Sequence, residues 1–395
     1  MFNLAAPTST APPCIPSLYT SYLSEYNVIA FSSLTVRSNV GYKTVTCGQF
    51  SSPSSTLGSE LPQTFSPLEY SLEINGSTVS GNPINIQKGS VGVGPSPANR
   101  ITKISNTQYK IDNNFMVNLN QGNGANVTVN QALPTKCASM ISNLKDLSTT
   151  LSQLSPNNFV DFPTSQPGPV YLNVTNVDTY GVAVFNFSLS SIFSDKVQSI
   201  ALIPTNSQVQ LVVINVYGSA ATWQQGSLNG NWFGSTYGIA HTIWNFYQAT
   251  SLTFQVSMKG TVLAPSATLT VRSQMNGAVA ANILNAEAAI FSPLAIFPNC
   301  TSVSTTTAGT SQSFLELSIF ICILIRVGLS STSIQPSSSS TSASISTGTT
   351  QVTSASTSPS TGTSITTEYT GPSTTGKKLF FKKQFEKPLL HFNRC

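Results

Sequence analysis

Leu211-Val212-Val213-Ile214-Asn215-Val216 sets five apolar side chains around one amide. In an extended strand successive side chains point to opposite faces, so the four leading apolar residues require cover on both sides. Val182-Ala183-Val184-Phe185 repeats the pattern. The two runs mark the deepest part of a mainly β core, and the apolar runs on either side, at 200–203, 252–256, 261–263, 268–271 and 289–296, extend it to residue 298. Residues 26–135 carry shorter β-rich runs separated by Gly, Asn, Pro and Ser. Short runs with turn residues between them fit a solenoid, a barrel or a sandwich.

One segment follows a different period. Within 138–155, Met140, Leu144, Leu147, Leu151 and Leu154 are spaced by three and four residues, which lays them on one stripe of a helix ending before Pro156. Such a helix can cover a sheet face or the open end of a stack of strands. The alternative is an apolar stripe offered to a partner.

Composition narrows the class. Of 395 residues, 18 are Lys or Arg and 13 Asp or Glu, 8% charged in all, so solubility rests on Ser, Thr, Asn and Gln. This disfavours a cytosolic enzyme, a coiled coil or a highly charged disordered chain. Six basic residues between Lys377 and Arg394, with Glu386, supply the whole net charge of +5. The neutral remainder is a poor match to nucleic acid, whose binding rests on neutralising phosphates.

Cys14, Cys47, Cys137 and Cys300 are widely spaced, without the C-x-x-C or Cys-His spacing of a zinc site. They permit two disulfides in an oxidising compartment, Cys137 with Cys300 or Cys14 with Cys47 being the favoured pairings, or four buried thiols. Sequons at Asn75, Asn126, Asn173, Asn186 and Asn299 agree with export and N-glycosylation. The first 17 residues show no basic and apolar leader, so either export is unconventional or the true N-terminus lies upstream. An extracellular or cell-surface location is expected.

The chain divides into an irregular lead (1–25), a β domain (26–300), a Ser/Thr-rich stalk (301–376) and a basic tail (377–395). In 331–370, 26 of 40 residues are Ser or Thr, which leaves almost nothing to bury and predicts a disordered or glycosylated stalk. The apolar run 317–325 falls well short of the ~20 residues that cross a bilayer, and no stable membrane span is expected.

The order of motifs carries a resemblance. After the helical segment come Val182-Ala-Val-Phe-Asn-Phe187, Val212-Val-Ile-Asn-Val-Tyr-Gly218, Ile243-Trp-Asn-Phe-Tyr-Gln-Ala-Thr250, Lys259-Gly-Thr-Val-Leu-Ala-Pro-Ser-Ala-Thr-Leu-Thr-Val271 and Asn276-Gly-Ala-Val-Ala-Ala-Asn282. This succession resembles the choice-of-anchor A domain of extracellular surface proteins, over about 26–298. Before residue 138 the match is faint, and Ser38-Asn39-Val40-Gly41 stands where that family usually has a Gly-Arg turn. The resemblance implies a β-solenoid with one long flanking helix, with Asn and Thr ladders on its walls and a noncatalytic adhesive role.

Candidate contact residues fall in the least regular segment, 217–242, where Trp223, Trp232, Tyr237 and His241 sit among Gln, Asn and Gly. Aromatic rings in a polar loop give large contact area at low entropic cost. Trp244-Asn245-Phe246 could stack on a sugar, but strand alternation favours Trp244 and Phe246 as core. Gly260 to Pro265 reads as a strand closing at a corner, and Gly89 to Gly94 is discounted as a phosphate loop because no helix follows it. No G-x-S-x-G elbow accompanies His241, and Asp161, Asp178, Asp195 and Glu287 show no paired spacing. No cofactor or metal is called for. The leading reading is a noncatalytic adhesion or structural module binding a glycan, matrix or cell-wall component. The alternatives are a polysaccharide-active β-helix enzyme and an ice-binding solenoid. The last requires a flat Thr array, and although Thr261, Thr268 and Thr270 lie close together, no repeated T-x-T pattern runs along the chain.

Overall fold

A computed structural model describes residues 17–62, 66, 69–79, 81–96, 99–120 and 124–298. The chain divides after Gly309, and all of these residues belong to the first unit. Cys14, Asn299, Cys300, the stalk, the apolar run and the basic tail lie outside the described residues.

The lead expected to be irregular ends in a helix, α1 (Ser17–Glu25). Leu23 drives it, fully buried beside Tyr26 in a core that the sheet shares with a second helix. The strands then wind in coils with three walls. β1 (Val28–Val36) crosses the first and second walls, bending where its register shifts between Ala30 and Ser33. β2 (Thr44–Thr46), β3 (Gln49–Ser51) and β4 (Thr56–Leu57) place one strand on each wall of the next coil. β5 (Tyr70–Ile74), an isolated bridge at Thr78 and β6 (Ile84–Ile86) repeat it. β7 (Ser90–Val93) opens a further coil that continues as an antiparallel meander of β8 (Ile101–Lys103), β9 (Gln108–Ile111) and β10 (Phe115–Leu119), with β10 parallel to β6, and β11 (Val127–Val129) ends the first wall beside β7.

The long helix α2 (Leu133–Ser152) follows, 20 residues and so about 30 Å. It starts five residues before the predicted stripe, with a Pro in its first turn, and stops short of residue 155. The chain resumes at the opposite end of the stack with β12 (Gly168–Val174), β13 (Val182–Ser188), α3 (Leu189–Ile192), β14 (Val197–Pro204) and β15 (Leu211–Tyr217), of which β13 and β15 join the first wall and β12 and β14 the third. β16 (Ala220–Trp223), β17 (Leu228–Asn229), α4 (Gly230–Gly234), α5 (Thr236–Ala240) and β18 (Thr242–Asn245) complete another coil. β19 (Ser251–Phe254), β20 (Met258–Lys259), β21 (Thr261–Val271), β22 (Met275–Asn276), β23 (Val279–Ala286) and β24 (Ile290–Phe291) wind back towards the start.

The first wall is ordered β11-β7-β5-β2-β1-β23-β21-β18-β15-β13, every neighbouring pair parallel. Parallel neighbours at successive turns of one coil define a β-solenoid and exclude the sandwich. The chain enters in mid-stack at β1, winds to one end, crosses back as α2 and returns to seal β23 against β1. Pro265 lies at the bend of β21 between the first and second walls. At another corner Gly260 and Gly277 stack with positive φ of 105° and 141°, and a Cβ on Gly277 would fall 2.1 Å from the Gly260 carbonyl oxygen. Only glycine fits there.

Alternation on the first wall makes two cores. Val212, Ile214 and Val216 face the coil interior, while Leu211 and Val213 face α2. Met140, Leu144, Leu147 and Leu151 are fully buried against them. Leu154, just past the helix, packs on the same core. Asn215 and Asn245 form the polar joint of this contact. The Asn215 amide donates to the Leu151 carbonyl at 2.7 Å, and Asn245 donates to the Ser148 carbonyl and to Asn215 Oδ1 at 2.9 and 2.8 Å.

The start of α2 is fixed covalently. Cys47 is bridged to Cys137, with Cα atoms 5.4 Å apart. A disulfide involving two of the four cysteines therefore forms, but both favoured pairings, Cys137 with Cys300 and Cys14 with Cys47, are overturned. The return path of α2 brings Cys137 beside the β2 corner. Next to it the buried Glu73 accepts from Tyr26, from Asn130 at 3.0 Å and from Lys136 at 3.0 Å. Burial first, and the neighbouring carboxylates second, push the Tyr26 hydroxyl far above its ordinary value, so it donates as a neutral group.

Candidate functional site

The second wall carries a regular outward-facing surface of half-buried and exposed side chains. Strands β16, β19, β21, β23, β1 and β3 lie side by side, and register aligns their outward residues in two rows. One row is Ala220, Ser251, Thr268, Ile283, Ser33 and Gln49; the other is Thr222, Thr253, Thr270, Asn285, Thr35 and Ser51. Between the rows Leu252, Leu269, Leu284, Leu34 and Phe50 point inward and are buried. All twelve outward residues are uncharged and eight bear a hydroxyl, spaced about 4.8 Å across the strands and ~6.6 Å along them. Charge begins at one edge, where Arg272 pairs with Glu287 at 3.3 Å.

Instead of an array of Thr alone, strand register builds a mixed one of two neutral rows, five of its twelve residues Thr, which the linear sequence failed to show. It is assembled from unlike triplets, Ser33-Leu-Thr35, Gln49-Phe-Ser51, Ala220-Ala-Thr222, Ser251-Leu-Thr253, Thr268-Leu-Thr270 and Ile283-Leu-Asn285, which only strand register lines up. Thr261 takes no part, being fully buried on the first wall.

The four aromatic candidates separate. Trp223 belongs to β16 and points inward, 1% exposed, stacked on Phe193 at 5.0 Å and edge-on to Phe254. It is core, because alternation in β16 sends Thr222 out and Trp223 in. Trp232 is 7% exposed, its indole Nε1 donating to Thr242 Oγ1 at 2.8 Å. Tyr237 packs edge-on to Trp232 and keeps half its surface exposed. His241 is buried beneath Tyr237, ring centroids 3.9 Å apart, with Nδ1 2.7 Å from the Tyr237 carbonyl. Trp244 and Phe246 are fully buried, and Asn245 serves the helix joint.

A cleft of about 690 Å³ opens on the third wall, lined by Tyr171, Ala201, Ile203, Asn229, Asn231 and Trp232 among others. Tyr171 is 50% exposed. Trp232 was legible as a candidate, whereas Tyr171 was not, because it lies on an ordinary alternating strand.

Of the four carboxylates considered for hydrolysis, Asp161 is exposed on the irregular segment between α2 and β12 and the other three lie at separate turns. Asp178 Oδ1 accepts from the Tyr180 and Val182 amides at 2.8 Å each, Asp195 precedes β14, and Glu287 pairs with Arg272. Residues 89–94 are mostly strand: Gly89, at φ 85°, turns the chain into β7, which belongs to the first wall.

Residues 19–291 match the family model described as "Putative Ice-binding-like adhesive domain". The chain belongs to this family. Solved structures similar to it include an ice-binding protein from an Arctic yeast (10% identity, 71% of this chain and 96% of that one, TM-score 0.27). Others are the domain of an ice-binding protein from Shewanella frigidimarina (10%, 71% and 98%, TM-score 0.32) and an ice-binding protein from the Antarctic ascomycete Antarctomyces psychrotrophicus (9%, 68% and 95%, TM-score 0.23). At these scores the solenoid assignment rests on strand register in the chain itself. No curated protein matches the sequence.

Proposed function

We propose that this chain is a noncatalytic, extracellular adhesion module that holds a surface through the second wall, and that the surface is ice. The carrying observation is the two-row array of neutral side chains that parallel strand register aligns on this wall. Water ordered over evenly spaced hydroxyls and methyls on such a wall can join a crystalline lattice with little further loss of entropy. The family's description as ice-binding-like supports this reading over the polysaccharide-active enzyme, as does the dispersal of the four carboxylates. The narrower choice-of-anchor A identity is part of the same reading, as are glycans on the exposed Asn126, Asn173 and Asn186 and display on the Ser/Thr-rich stalk. Among the described residues no helix is long and apolar enough to cross a membrane. Microscopy of single ice crystals in a solution of the full chain tests the proposal. Faceted growth and a gap between melting and freezing points are expected, and round, unshaped crystals at saturating protein would refute ice as the target.

A further inference from the structure

The third-wall cleft differs in chemistry from the hydroxyl wall. Its floor is one row across three parallel strands: Tyr171 on β12, Ala201 on β14 and Asn229 on β17 stand in register. Ala201 is the smallest of the three, so the row dips at its centre between an exposed aromatic ring and an amide, about 9.6 Å apart over two strand spacings. The far side rises as α4, which brings Asn231 and the edge of Trp232 to the rim. Trp232 is held by its bond to Thr242, so this wall is preformed. Among the described residues the amide side chains of Asn229 and Asn231 have no hydrogen-bond partner, and both are exposed.

None of the residues lining the cleft is charged. An anion or a basic peptide would find no counter-charge there, and a purely apolar ligand would bury amides unpaired. A neutral ring with an apolar face and a rim of hydroxyls meets both conditions, stacking on Tyr171 while Asn229 and Asn231 donate to and accept from its hydroxyls. We infer that the cleft between Tyr171 and Asn231 is a binding site for a neutral saccharide of one or two pyranose rings. The inference stands apart from the reading of the second wall. Two sources of such a sugar are within reach. One is a glycan of another molecule. The other is a glycan on Asn173 of this chain, which shares the outward face of β12 with Tyr171 and is paired with Ile203 at the cleft.

The test is calorimetric titration of the full chain with cellobiose, chitobiose, laminaribiose and mannobiose. It uses material from a secreting host, as wild type and as Asn173→Gln, and the variants Tyr171→Ala and Ala201→Leu. At least one disaccharide should bind, about tenfold more weakly to Tyr171→Ala and to the filled Ala201→Leu cleft, with melting unchanged in either variant. Binding by both wild type and Asn173→Gln identifies a foreign glycan, and binding that emerges only in Asn173→Gln identifies the chain's own. No binding by any form at about 10 mM sugar, or binding unaffected by both cleft variants, would overturn the inference. A Thr270→Tyr chain should bind sugar normally, so failure of the ice reading and failure of this one are distinguishable.

Discussion

Thr253 and Thr270 face each other in register on β19 and β21, above the buried Leu252 and Leu269. Their separation is set by the backbone ladder and their χ1 angles are held by β-branching, so the hydroxyl spacing does not depend on flexible side chains. The same holds for Thr35, Thr222 and Thr268 on this wall.

The joint between α2 and the first wall should be sensitive to one amide. Asn245→Ala leaves Asn215 Oδ1 and the Ser148 side chain short of a partner in a buried site. A loss of about 1–3 kcal/mol is expected, read as a lower melting temperature, with faster amide exchange across Leu133–Ser152. Unchanged exchange in the helix would count against the joint.

Trp223→Ala should cost about 3–5 kcal/mol of stability, because the ring stacks inside the coil. Adhesion per folded molecule should be unaltered. Lost adhesion with wild-type melting would return Trp223 to the contact surface.

Much of the architecture was legible and the site was not, for one reason. The spacing of Met140, Leu144, Leu147 and Leu151 is a local pattern, and so are the two-sided apolar runs at Val182 and Leu211. The hydroxyl wall joins residues as distant as Ser33 and Ile283, whose alignment is a property of strand pairing. Trp223 misled because four residues of β16 between Gly and Gln look like loop, and the rings that bury it come from other coils. The partner of Cys47 depended on where α2 crosses the stack.

Peptide mapping of nonreduced, secreted protein should recover Cys47 linked to Cys137. That bridge spans 90 residues, and removing it as Cys47→Ser with Cys137→Ser should cost about 2–5 kcal/mol. Recovery of Cys47 linked to Cys14 would contradict the fold of this end.

Acid should loosen the end of the stack around β9. Burial raises the Asp112 carboxyl, but the Arg100 hydrogen bond, the Thr78 amide and the Arg100 charge outweigh it and hold the group below the usual carboxylate range. With a depressed folded value, the stabilisation is complete above the ordinary carboxylate range and is lost as pH falls through it to the folded value. Melting temperature should therefore drop more steeply with acidification in wild type than in Asp112→Asn, and parallel curves would refute the coupling.

Adhesion through the second wall is read out by ice-affinity partition of the full chain. Wild type and Tyr171→Ala should enter a slowly growing ice front, while Thr253→Tyr and Thr270→Tyr, which raise a ring above the two rows without touching the core, should stay in the liquid with unchanged melting. Equal partition of all four, or exclusion of the folded wild type, would contradict the account.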